Sequence, residues 1–214
     1  PLLMPALSLD LAQTKQFTSI LKKQKGDLRL RAFYPSGHPF KSSDSGRKGQ
    51  PSKSTVEEWQ AEGRGVYAVI NDGGDTDSEI TACRAVFCEW DDRPKEWQID
   101  AWKDLHLPEP TLQVDTGGKS IHNYWVFDEP IPVDDWKSLQ TRLLDHADAD
   151  RSLKNPSRVM RLPGTFHIDA DGQPGGRTCI IHTSDTYYSA RDIEKALPSK
   201  KMHDKMVEAN RYTD

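Results

Sequence analysis

The sequence predicts an α+β fold around an antiparallel or mixed sheet, and three observations predict it. Helical and strand periodicities are mixed along the chain without the strict alternation of a parallel sheet. Short apolar runs bounded by turn residues recur. One stretch, TLQVDTGGKSIHNYWVFDEPI, reads as two strands pinched around Gly117 and Gly118. A chain of 214 residues, 35% hydrophobic and 29% charged, suits one globular unit with one substantial core.

In chain order, residues 10–25 place Leu11, Phe17, Ile20 and Leu21 at helical spacing, with Gly26 as the stop. LRLRAFY alternates as a strand. SGHPFKSSDSGRKGQPSKS reads as a mobile basic loop, followed by a short helix capped by Ser54 or Thr55 with Glu57 and Glu58 in its first turn. GVYAVIN is a strand, DGGDTDSE a turn, and ACRAVFCEWDD an apolar strand ending in acids. A helix around PKEWQIDAWKDL precedes the hairpin. VDDWKSLQTRLLDHA is a helix with Trp136, Leu139, Leu143 and Leu144 on its apolar side, and SRVMRLPGTFH and GRTCIIHTS supply further strands.

Composition narrows the function. No apolar run approaches the roughly 20 residues of a membrane span, so no membrane role is expected. The opening PLLMPALSLDLAQ lacks a basic region and is broken by Pro5 and Asp10, so it does not read as a signal peptide, and an intracellular, cytoplasmic location is expected. Cys83, Cys88 and Cys179 cannot all pair and show no CxxC spacing; they are expected to be reduced and buried. A net charge of −4 offers nucleic acid no overall attraction, so contact must come from local basic clusters. The chain starts without methionine and ends in lysine-rich LPSKKMHDKMVEANRYTD, as an excised domain of a longer protein would.

Three constellations carry chemistry. Glu89 and Asp91 follow the apolar run 85–88, and at i and i+2 of a strand they share a face while Trp90 takes the other. Two carboxylates so close repel unless a cation lies between them, and hard oxygen donors suit Mg²⁺ or Mn²⁺; an acidic strand end facing water is the alternative. In TGGKSIH, the glycines let backbone approach a ligand, Lys119 adds a compact positive charge, and Ser120 and His122 share a face toward phosphate oxygens. The GxxxxGK[ST] spacing of a P-loop is absent, and a hairpin with incidental polar residues is the alternative. In the run 148–165, Asp148 or Asp150 can give a third carboxylate and Arg158 a guanidinium fork, or each can be a surface ion-pair partner.

In order, CEWDD, TGGKSIHNYW and DRSLKNPSRVMRLPGT resemble the three motifs of the archaeo-eukaryotic primase superfamily, in the branch of plasmid and phage primase-polymerases. The resemblance covers residues 28–183, and its most specific part is residues 150–164. It implies metal ligands at Glu89, Asp91 and Asp150, with Asp150 chosen over Asp148 for its distance from Arg158. It also implies Ser120 and His122 on the triphosphate of the incoming nucleotide, Arg158 as a further phosphate ligand, and Lys119 assisting. The first acid is Glu where the motif most often has Asp, which alters reach and keeps a carboxylate.

The implied fold is a catalytic sheet related to the RNA-recognition motif, with a smaller N-terminal α/β unit completing a cleft. The expected organisation is a helical extension over 1–27, the catalytic domain over 28–198 and a polar tail or linker over 199–214. The expected activity is template-dependent DNA priming and polymerisation with two Mg²⁺ or Mn²⁺ ions. The expected partners are single-stranded template, primer strand and (d)NTP, with a helicase domain C-terminal in the parent protein. Two other readings use the same residues. One is a metal-dependent replication nuclease, for which the Lys119–His122 hairpin has no purpose; the other is an inactive origin-binding module, which three retained acids speak against.

Overall fold

A computed structural model describes residues 7–24 and 26–211. The opening hexapeptide and Lys25, expected in the helical extension over 1–27 and at the first helix's end, lie outside the described residues, as do the last three residues of the tail.

The first helix, α1 (Leu11–Ile20), is capped by Asp10, whose carboxylate accepts from the Gln13 N–H. It ends five residues short of the expected bound, because Lys22 adopts a left-handed conformation (φ 55°) that no helix continues through. Phe17 and Leu21 are fully buried. Its docking is precise: Thr14 donates to the Pro163 carbonyl at 2.8 Å, and the Ile180 N–H donates to the Gln13 side chain at 2.9 Å. Gly164 (φ 100°) permits that approach, since a Cβ there would lie 2.4 Å from the Asp10 carbonyl oxygen.

A four-stranded antiparallel sheet is built from β1 (Leu30–Phe33), β2 (Arg47–Gly49), β3 (Gly65–Val69) and β7 (Val159–Arg161), in the order β2-β1-β3-β7. The expected basic loop is thus part of the sheet: β2 pairs Lys48 with Arg31. Helix α2 (Lys53–Ala61) starts from Ser52, ahead of the predicted cap, so its glutamates fall beyond the first turn. It buries Val56 and Trp59 under the sheet's inner residues Leu30, Ala32, Val66 and Ala68.

The second sheet joins β4 (Cys83–Cys88), β5 (Leu112–Asp115), β6 (Ile121–Ile131) and β10 (Cys179–Thr183), all antiparallel, in the order β10-β5-β6-β4. The predicted β5–β6 hairpin is present. Helix α3 (Lys95–Asp104) lies where predicted, and α4 (Val133–Ala147) matches its predicted segment residue for residue. A short pair, β8 (Phe166–Ile168) and β9 (Pro174–Arg177), leans on the hairpin turn, and α5 (Ala190–Ala196) and α6 (Lys200–Asn210) follow. Part of the expected polar tail is therefore helical. One apolar core runs through both sheets. Among the described residues no helix is long and apolar enough to cross a membrane. All three cysteines are free; Cys83 and Cys88 are buried, and Cys179, on an edge strand, is only half-buried.

Candidate active site

The predicted acids sit where a strand edge meets a helix. As the outer strand of its sheet, β4 leaves one row of backbone groups unpaired, and α4 satisfies them with side chains. Gln140 accepts from the Phe87 N–H at 3.1 Å and donates to the Phe87 and Leu153 carbonyls at 2.7 and 3.0 Å; Trp136 donates to the Ala85 carbonyl at 2.6 Å. Just past the strand, buried Trp90 donates to the Ala147 carbonyl at 2.9 Å, and the Asp150 N–H donates to the Glu89 carbonyl at 3.0 Å. These bonds hold Glu89 and Asp91 on one side and bring residue 150 beside them. Glu89 and Asp91 were expected on the strand; the strand ends at Cys88, yet both side chains line the same cleft.

Across from them is the hairpin. Gly117 (φ 79°) has no room for a side chain, since a Cβ would come within 2.3 Å of the Gly176 carbonyl oxygen, and at Gly118 it would meet the His167 ring at 2.7 Å. Buried Gln98 of α3 accepts from the Ile121 N–H at 2.7 Å and donates to the Lys119 carbonyl at 3.2 Å, latching the turn. Ser120 donates to Glu89 Oε2 at 2.8 Å, and His122 Nε2 lies 2.8 Å from the same oxygen.

The two sheets enclose a cleft of about 220 Å³. It is lined from the second sheet by Glu89, Asp91, Lys119, Ser120 and His122, and from the first by Tyr67, Val159 and Arg161; Arg158 lines it from the loop before β7 and His167 from β8. Asp150 lies outside this wall, in an adjoining recess that it shares with Asp91.

Charge in the cleft is uneven. Burial alone would raise the Glu89 carboxyl, but the neighbouring His122, the Ser120 hydroxyl and the Arg158 charge outweigh it and hold Glu89 at about 2. Asp91 goes the other way: burial, then repulsion from Glu89 and Asp150, lifts it above its ordinary value, with Lys119 and His122 opposing. Asp91 accepts no hydrogen bond from any described residue. Asp148, the competing acid, is exposed and bonded to Arg151 at 2.5 Å.

The donor set fits a hard divalent cation: oxygen donors only, with mutual repulsion that a cation would relieve. As the side chains stand, no three such ligand groups converge among the described residues. Glu89 is turned onto Ser120 and His122, and Asp150 Oδ1 accepts from the Ser152 N–H at 2.9 Å. His122 Nδ1 is buried without a partner.

Sequence reasoning missed Tyr67, Arg161 and His167 as cleft residues. Arg161 lies in the third motif, and its placement follows from pairing with Tyr67 across β3 and β7, which no local pattern signals. His167 Nδ1 is also buried and unpartnered.

No family model matches the chain, and no curated protein matches it. Among solved structures it is similar to the primase-polymerase domain of cyanophage S-2L, at 38% identity over 91% of this chain and all of that one, with a TM-score of 0.82. It shares its fold with primase RepB′, at 13% identity and a TM-score of 0.61, over 95% of this chain and 65% of that one. The catalytic domain of RepB′ in complex with initiator DNA gives 15% identity and a TM-score of 0.57, over 94% of this chain and all of that one.

Proposed function

This chain belongs to the archaeo-eukaryotic primase superfamily, among its primase-polymerases, and from that premise we propose that it copies a DNA template by two-metal nucleotidyl transfer in the cleft between its sheets. That it is a DNA primase-polymerase, a nucleotidyltransferase, follows from the family. The finer reading concerns which residues do what.

Glu89, Asp91 and Asp150 would hold two Mg²⁺ or Mn²⁺ ions. When bound, such ions lower the pKa of an attacking 3′-hydroxyl and neutralise the departing pyrophosphate. The chain's own residues position the nucleotide. Ser120, just before β6, and His122, on it, face the triphosphate, and Lys119 and Arg158 flank it with positive charge. His122 Nδ1 has no partner, so the imidazole is tied to Glu89 through Nε2 alone; with Glu89 turned to hold a metal, Nε2 would be available to a phosphate oxygen.

The observation that carries this reading is Asp91, which lines both the cleft with Glu89 and the recess with Asp150, accepts no hydrogen bond from any described residue, and is raised by burial and then by those two carboxylates. The partners proposed are single-stranded template, primer and (d)NTP. The setting proposed is replication of a plasmid, phage or other mobile element, with a helicase domain C-terminal in the parent protein. Residues 28–198 would form the catalytic unit, with 1–27 as an extension docked on it through α1.

The test is to incubate the protein with single-stranded template, Mn²⁺ and labelled triphosphates, with and without primer. Asp91→Ala and Asp150→Ala should each abolish product, exceeding the roughly 10–100-fold cost of losing a group that merely supports a metal ligand, while circular dichroism shows a folded protein. Extension by either variant at the wild-type rate would overturn the metal assignment.

A further inference from the structure

The outward face of the first sheet has a composition the proposed chemistry does not use. Strand pairing sets Arg31 opposite Lys48 on one side and opposite Tyr67 on the other, and Tyr67 opposite Arg161, so four strands carry one row: Lys48, Arg31, Tyr67, Arg161. Phe33 shares the face, two residues from Arg31. The row begins in the cleft at Arg161 and Tyr67 and runs outward to the β2 edge.

Cations and rings alternate along it. The Arg161 guanidinium lies 5.0 Å from the Tyr67 ring centre, and Arg31 and the Lys41 ammonium lie 4.9 and 5.0 Å from that of Phe33. Next to Lys41 in the chain stands Phe40, 60% exposed, which packs on Tyr34 and His38, themselves stacked at 4.4 Å. Two glycines leave the rings room. A Cβ at Gly65 would come within 3.1 Å of the Tyr67 hydroxyl and 3.0 Å of Arg161 Nη1, and one at Gly46 would strike the Phe33 ring at 2.7 Å.

What sets these cations apart is that they are unbalanced. Elsewhere buried cations are matched with acids: Arg64 with Asp44 and Glu62, Lys23 with Asp72, Arg142 with Glu194. Arg31, Lys41 and Arg161 form no ion pair among the described residues, and Arg31 Nε is buried without a hydrogen-bond partner. Asp75, an acid that feels the Arg31 charge, is gripped by Arg29 at 2.9 and 3.1 Å, with Lys48 at 3.9 Å. In a protein of net charge −4, half-buried and unmatched guanidiniums on one face are stable partners for an external polyanion.

The geometry points to a single-stranded DNA track on this face, carrying the template into the cleft, with phosphates on Arg31, Lys48 and Lys41 and bases against Phe33 and Phe40. The inference rests on the primase-polymerase reading. A single strand fits better than a duplex because exposed rings between cations can stack only on unpaired bases.

The experiment measures fluorescence anisotropy of a labelled oligothymidylate and of a blunt duplex, across a salt series, for wild type, Arg31→Gln and Phe40→Ala. Triphosphate affinity, primer extension and the thermal midpoint are followed in parallel. Arg31→Gln should weaken oligothymidylate binding about tenfold and reduce its salt slope by about one. Phe40→Ala, at an exposed site, should weaken it by roughly three- to tenfold at unchanged slope, with little effect on the duplex. Both should bind triphosphate within about twofold of wild type, because neither side chain lines the nucleotide's cleft. Oligothymidylate binding untouched by both substitutions, in a protein that extends primers, would overturn the track and leave the polymerase reading intact. Equal losses on strand and duplex would overturn the stacking assignment. A protein that binds the strand through these residues yet incorporates no nucleotide would support the track and sink the polymerase reading.

Discussion

Where β6 enters the cleft, its polar side chains are buried and bonded to one another. Where β3 and β7 border the same cleft, and on β1 beside them, the polar side chains are half-exposed and largely unpaired. The His122 and Glu89 side chains are 5% and 14% exposed and share Oε2 with Ser120, whereas Arg31 and Arg161 rest on aromatic faces with no acid partner among the described residues. A transferring phosphoryl group must be held within a fraction of an ångström, which burial and mutual bonding provide. A strand that advances with each nucleotide added must be held by contacts that exchange easily, which screened cations and stacking surfaces provide. One cleft thus has a rigid wall and a permissive wall.

If that division is right, substitutions on the second sheet cost stability and nucleotide binding, and those on the first cost mainly DNA binding. His122→Ala leaves Glu89 buried with Ser120 alone. It should destabilise the protein by about 3–5 kcal/mol in urea unfolding and weaken triphosphate binding with template binding nearly intact; equal loss of both ligands would break the comparison.

Glu89 sharpens it through pH. Its folded value, about 2, lies below its ordinary 4.5, so its contribution is complete above roughly pH 4.5 and is lost as pH falls toward 2, a change of about 3 kcal/mol. Glu89→Gln should flatten the fall in unfolding free energy over that window; an unchanged acid limb would show that Glu89 is not held as described.

Gly117→Ala puts a methyl group against backbone at a positive φ, and should cost about 2 kcal/mol by thermal unfolding, with reduced triphosphate affinity. At the small end, Lys48→Ala on the exposed face should change stability by less than about 0.5 kcal/mol. Its effect on oligonucleotide binding should appear at low salt and fade at high salt.

Local pattern determined much of this. The helical period of α4 and the hairpin about Gly117 and Gly118 are written in neighbouring residues, because amphipathic spacing and glycine's access to positive φ are local properties. So is the pairing of Ser120 with His122, two apart at the start of a strand; Glu89 and Asp91 also face the cleft together, although the strand stops at Cys88. Motif order tied these pieces to one family.

What local pattern could not supply was everything made by contact between distant segments. The basic stretch after β1 looked like loop, because β2 is only three residues long and exists by pairing with β1. Helix α1 stops at Ile20 although its apolar spacing runs on, since the chain turns there, at Lys22, toward the first sheet. The row from Lys48 to Arg161 draws on four strands spread over more than a hundred residues. Its members become neighbours only through backbone hydrogen bonding between strands, which fixes register in space and leaves no periodic trace along the chain.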